Sequence, residues 1–170
     1  MNLIHWSAEP IQEIQSVKQS PEGGMKPAGF WVSDESTDWG WYAWATAEAF
    51  HLDALTYATP ISLVPDHRVA ILHTRTDLRR WTDDYGMALP GTESLPWSRR
   101  EGMAIDWACV AQDYQGVIIT PYQWSLRLDE RCFWYYGWDC ASGCIWDATA
   151  IGHIGPSRRV EQQSLAEEVP

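Results

Sequence analysis

The chain has 170 residues, 45% of them hydrophobic, so it is long enough for one domain with a real core. Twelve Lys and Arg face 23 Asp and Glu, a net charge of −11, and Lys18 and Lys26 are its lysines. A chain this acidic repels a polyphosphate backbone, which argues against bulk nucleic-acid binding. Its acidic runs, such as Asp83-Asp84 and Asp129-Glu130, are too short for a mimic of nucleic acid. The N-terminus carries no basic segment ahead of an apolar stretch, and no apolar run approaches membrane-spanning length. A cytoplasmic protein without membrane contact is therefore expected.

Asn2 to Ser7 is short and apolar enough for a strand. Ile11, Ile14 and Val17 recur at nearly helical spacing, which predicts a helix over 10–19, broken by Pro21-Glu22-Gly23-Gly24. Gly29 to Ser33 reads as a strand, Asp34 to Asp38 as a polar loop, and Trp41 to Phe50 as a helix with Ala43, Ala47 and Phe50 inward. His67 to His73 reads as a strand, after which Thr76-Asp77 is expected to cap a short helix through Leu78, Trp81 and Tyr85. Pro90 to Arg100 is a loop with two prolines, and Asp106 to Asp113 a short helix. Gly116 to Thr120 is the clearest strand, with Val117, Ile118 and Ile119 bounded by Gly116 and Pro121. Phe133 to Trp138 and Cys144 to Ile151 are two further strands, joined through Asp139-Cys140-Ala141-Ser142-Gly143. This order is not a regular βαβ alternation. It predicts an α+β fold with a mixed or antiparallel sheet core and short helices, a single domain over 1–156, then a polar tail over 157–170 expected to be mobile.

Twelve tryptophans accompany only three Phe. They gather as Phe30-Trp31, as Trp39-Gly40-Trp41-Tyr42-Ala43-Trp44 and as Phe133-Trp134-Tyr135-Tyr136-Gly137-Trp138. Indole rings supply a rigid core with amphipathic rims, and their flat faces also suit planar ligands such as bases or nicotinamide; both uses stay open here. Cys109, Cys132, Cys140 and Cys144 do not follow a zinc-knuckle spacing, so free buried thiols and no metal are expected. Between Trp138 and Trp146, Asp139 and Ser142 sit in a small-residue turn. That turn reads either as a ligand-facing hairpin or as one whose tryptophans pack across strands. Arg127 and Arg131 either clamp a pyrophosphate or carboxylate, or pair with Asp129, Glu130 or other acids on the surface.

No P-loop, G-x-G-x-x-G, H-E-x-x-H or G-x-S-x-G is present. The succession Ile4-His5-Trp6-Ser7, Pro27 to Asp34, and Asp106 to Ile119 through Tyr114-Gln115-Gly116 resembles the ADP-ribosyltransferase-like superfamily over roughly residues 3 to 125. The acidic, Trp-rich composition and the segment Trp138 to Trp146 also look like small accessory proteins of actinobacterial phages. The first resemblance implies NAD or a related nucleotide as ligand. His5 would then bond a ribose hydroxyl, Ser7 and Ser33 would line the cleft, and Trp31 would stack on nicotinamide, with Trp138 and Ser142 as further binding residues. The Gly116 to Thr120 strand lacks the Glu such enzymes carry, so Asp139 and Asp147, flanking the small-residue turn, stand as the candidate carboxylates beside His5. The alternative is a non-enzymatic accessory protein that grips a host protein through an exposed aromatic, acidic face. It expects no cleft and several surface tryptophans.

Overall fold

A computed structural model describes residues 1–89, 91–96 and 100–160. β1 (Leu3–Ser7) and β2 (Phe30–Asp34) form where the sequence expects them. α1 (Trp41–Ala47) leads into a 3-10 turn at Leu52–Leu55 and then β3 (Tyr57–Leu63). β4 (Val69–Leu72) is followed by α2 (Arg75–Tyr85), the short ladder β5 (Gly86–Met87) with β6 (Ala104–Ile105), α3 (Trp107–Asp113) and β7 (Gly116–Ile119). β8 (Ser142–Ile145), β9 (Ile151–Ile154) and β10 (Arg158–Arg159) complete the chain. The main sheet has eight strands in the order β10-β3-β1-β2-β8-β7-β4, with β9 also on β3. Its pairs are antiparallel except β4 with β7, which makes it the mixed sheet of an α+β domain.

Strand alternation divides the core into two faces. On β7, Val117 and Ile119 join Leu78, Trp107, Trp134 and Trp138 on the face covered by α2, α3 and the segment 130–137. Ile118 points the other way, to Leu3, Val32, Ile61 and Ile145. The tryptophans are therefore chiefly core: Trp44, Trp81, Trp107, Trp134, Trp138 and Trp146 are all buried. Trp97 lies outside the described residues, as does part of the expected 90–100 loop.

Residues 10–19 are not helical. They run as a strap whose partners come from other elements: Val17 N–H donates to Trp146 O at 2.8 Å, Ser16 Oγ accepts from Ala148 N, and the Gln19 amide pairs with both backbone groups of Ala28. Ile11 and Ile14 seat on the second core face, so the near-helical spacing served an extended segment whose β-branched residues favour helix little. Phe133 to Trp138 is not a strand either, but part of a 3-10 segment, Glu130–Gly137. Its buried side chains include the sequence neighbours Trp134 and Tyr135, which a strand would send to opposite faces. Cys144 to Ile151 divides into β8 and β9 around a 3-10 turn at Ala148–Ala150, and β8 pairs with β2 and β7. The hairpin expected over 138–146 is therefore absent.

α1 buries Trp44 and Ala45, not Ala47 and Phe50, and stops at Ala47; Ala49 and His51 take left-handed φ of 50° and 44°. The ordered chain continues past 157, because β10 pairs with β3 and Val160 N–H donates to Thr56 O; residues 161–170 lie outside the described residues.

α2 begins two to three residues earlier than expected. Thr74 is the N-cap, and a full capping box joins its side chain to Asp77 N–H while Asp77 Oδ2 accepts from Thr74 N–H at 2.8 Å. Thr74→Ala is expected to cost about 1 kcal/mol, read as a fall of roughly 2–4 °C in Tm. An unchanged melting curve would remove the cap from the account of this helix.

Candidate functional site

β1 pairs with β3 over all five of its residues but meets β2 only at Leu3↔Asp34 and Ile4↔Ser33. Beyond Ile4 the two strands part, and a cavity of about 370 Å³ opens beside them. One wall is β1, with Ile4, His5 and Trp6; another is the run into β2, with Lys26, Pro27, Trp31 and Ser33. Trp41 and Ala54 come from the α1 region, and Asp139, Cys140 and Ser142 from the segment that enters β8.

His5 bridges the parted strands. Its Nδ1 lies 2.7 Å from Trp31 O, and its ring stacks on Phe30 with centroids 4.3 Å apart. A carbonyl only accepts, so Nδ1 carries the proton and Nε2 of the neutral ring is left as an acceptor. Burial pushes the His5 pKa below its ordinary value, against the smaller upward pull of the Trp31 carbonyl, so the neutral form prevails at pH 7.

Asp139 is held by its backbone. Trp39 Nε1 donates to Asp139 O at 3.0 Å, and Tyr122 OH donates to the preceding carbonyl, Trp138 O, at 2.7 Å. Its carboxylate lies 3.7 Å from Lys26 Nζ and 4.0 Å from Arg127 Nη2. Arg127 thus pairs with an acid, and that acid is Asp139, while Asp129 takes Arg79 at 2.9 Å. Ser33 Oγ donates to Glu35 Oε1 at 2.5 Å and accepts from Trp41 N–H at 2.7 Å, tying β2 to the start of α1. Trp6 Nε1 also donates to Glu35 Oε1, at 2.8 Å, so this carboxylate braces the cleft wall from behind.

Of the residues singled out in the sequence, His5, Trp31, Ser33, Asp139 and Ser142 meet at this cavity. Three do not. Ser7 Oγ donates to Glu9 O, away from the cleft. Trp138 is fully buried and supports Trp31 from the core side, ring centroids 5.0 Å apart. Asp147 follows β8 whereas Asp139 precedes it, so the two acids lie beyond opposite ends of the strand. Asp147 caps the turn Ala148–Ala150 and accepts from Thr149 and Gln115, bonds that hold its pKa below the usual carboxylate range.

Sequence reasoning did not single out Lys26, Glu35, Trp41 or Cys140 for this site. Trp41 belonged to a noted aromatic cluster, and Glu35 to an acidic pair; Lys26 carried no signal beyond being one of two lysines. Burial pushes the Cys140 thiol up to about 12, which makes it wall and not nucleophile. Cys132 and Cys144 are likewise buried free thiols, while Cys109 is exposed. Among the described residues no cluster of His, Cys, Asp or Glu could hold a metal ion, and no helix is long and apolar enough to cross a membrane. No known family, no curated protein and no solved structure matches the chain.

Proposed function

We propose that the cleft binds NAD or a related nucleotide and breaks its N-glycosidic bond, as an ADP-ribosyltransferase-like domain would. The observation that carries this reading is the convergence of His5, Trp31, Ser33, Asp139 and Ser142 on one cavity, from chain segments more than a hundred residues apart. His5 Nε2 accepts from a ribose hydroxyl. Trp31 and Trp41 offer ring faces to the planar leaving group. The bond from sugar C1′ to the nicotinamide nitrogen breaks, and its electron pair leaves with neutral nicotinamide. The Asp139 carboxylate stabilises the oxocarbenium-like sugar and takes the proton of the water or acceptor that adds to C1′.

A titration of tryptophan fluorescence with NAD, paired with a nicotinamide-release assay, tests the reading. Saturable quenching is expected in the wild type, weakened about tenfold in His5→Ala by loss of one buried hydrogen bond. Absence of quenching at millimolar NAD would overturn it. The partner-binding alternative draws support from exposed Leu128, Tyr136 and Phe50, but it expects several surface tryptophans, and among the described residues Trp124 is the exposed one. The cleft favours the nucleotide reading.

A further inference from the structure

At about 370 Å³ the cavity sits near the small end of ligand pockets. A volume of this size suits a ring and its sugar, and the rest of a dinucleotide would extend over the adjoining surface. Asp139 lines the cavity with a partly exposed side chain. Lys26 Nζ approaches one of its oxygens and Arg127 Nη2 the other, so two of the chain's twelve cations converge on a single carboxylate. Lys26 lines the cavity and stands 5.4 Å over the Trp31 ring. Arg127 does not line it. It caps the 3-10 turn Trp124–Leu126, whose first residue, Trp124, is 55% exposed. Trp124 is fixed from behind, with its ring centroid 5.3 Å from Trp39 and 4.9 Å from Tyr122, and Trp39 in turn bonds Asp139 O. Around Asp139 the surface therefore gathers the Trp31 ring, the two cations of Lys26 and Arg127, and the Trp124 ring at the turn that Arg127 caps.

We propose that Lys26, Arg127 and Trp124 form an outer subsite for the nucleoside-diphosphate half of a dinucleotide; the proposal rests on the reading of the cleft as a nucleotide site. The diphosphate bridges the ammonium and the guanidinium, which binds phosphoryl oxygens in a bidentate fork. The base stacks on the open face of Trp124. The diphosphate takes over the two cations from Asp139 and leaves that carboxylate to the sugar in the cleft. The long-range repulsion of a chain with net charge −11 is screened beyond about 8–10 Å at ordinary salt, so the local pair of cations decides.

Calorimetric titration with ADP tests the outer subsite without the nicotinamide half. ADP is expected to bind the wild type and to weaken about tenfold in Arg127→Ala and in Trp124→Ala. Trp124→Phe is expected to retain most of the affinity, and Asp139→Asn, which removes the competing carboxylate, to tighten it. Thermal melts on each variant check that the fold is kept. A wild type that ignores millimolar ADP, or Arg127 and Trp124 variants with unchanged ADP affinity, would overturn the proposal. NAD on the same proteins separates the two readings. ADP binding with the expected pattern but no NAD binding keeps the outer subsite and removes the cleft assignment. NAD binding indifferent to Arg127 and Trp124 does the reverse.

Discussion

Asp34→Ala is expected to lower the unfolding free energy by about 3 kcal/mol and Tm by roughly 6–12 °C. Asp34 is 2% exposed, yet its carboxylate is fully occupied. Oδ1 accepts from Asn2 N–H at 2.9 Å, Ser36 N–H at 3.1 Å and Ser36 Oγ at 2.6 Å, while Oδ2 accepts from Thr120 Oγ1 at 2.8 Å. Those donors belong to the start of β1, the turn after β2 and the end of β7, so one side chain pins three points of the sheet. Alanine leaves the Thr120 hydroxyl, itself 4% exposed, without its acceptor in a site closed to water. Asp34→Asn keeps the shape but offers an NH₂ where only acceptors fit, and is expected to recover part of the loss. Urea or thermal unfolding of the three proteins at pH 7 measures this; equal stabilities would remove Asp34 from the fold's supports.

The same residue predicts a pH dependence. Burial by itself raises the Asp34 pKa, but the bonds from Ser36, Asn2 and Thr120 together outweigh it and hold the carboxyl below its ordinary 3.8. On acidification the unfolded chain therefore takes up this proton before the folded one does. The stability it supplies is whole above the unfolded value and is lost as pH falls through the folded value. Asp77, Asp129 and Asp147 are shifted the same way by their own partners and act in the same acid window. The contribution of Asp34 is thus the difference between the wild-type and Asp34→Ala curves, which are expected to converge as pH drops below about 4. Curves that stay parallel would contradict the shift.

What could be read from the sequence depended on whether a segment's partners were local. β1, β2, α3 and β7 announce themselves because each carries its own pattern: alternation, an Asp106 cap, or a β-branched run between Gly116 and Pro121. β3 does not, because Pro60 sits in its middle. Pro60 O accepts from Gly155 N–H, so its nitrogen faces that same side, in the gap where β9 pairing gives way to β10 pairing. The proline costs no ladder bond there, and only the arrival of the last two strands reveals it. The strap 10–19 and the segment 130–137 misled for a related reason: their spacing answers to distant surfaces, β8 and α2, and not to a periodic element of their own.

For the site, His5, Trp31 and Ser33 were legible because they lie on two early strands that pair, and Asp139 because a lone carboxylate beside small residues is conspicuous. Asp147 looked equivalent to it until β8 took its place between β2 and β7, which sends the two acids to opposite ends of the strand. Lys26 and Glu35 were not legible. Lys26 acquires meaning from Asp139 more than a hundred residues later, and Glu35 from the indole of Trp6 on another strand.

That contrast between the two acids gives the largest functional effect expected here. On the proposed reading, Asp139→Asn lowers nicotinamide release by about 10²–10³-fold, the usual loss when one preorganised group facing developing charge is removed. Asparagine is nearly the same shape, and the residue's anchors, Trp39 on its own carbonyl and Tyr122 on the one before, are backbone contacts that the substitution leaves alone. The fold is therefore kept, and with Lys26 and Arg127 released from the carboxylate NAD binds at least as tightly while turnover falls, so kcat drops without a rise in KM. Asp147→Asn makes the opposite forecast. It weakens the cap of the Ala148–Ala150 turn and its bond from Gln115, costing stability, while release per folded molecule stays at the wild-type rate. Single-turnover nicotinamide release on both variants, normalised to the folded fraction, decides between them. Equal turnover in wild type and Asp139→Asn would take the carboxylate out of the chemistry and leave the cleft as a binding site alone.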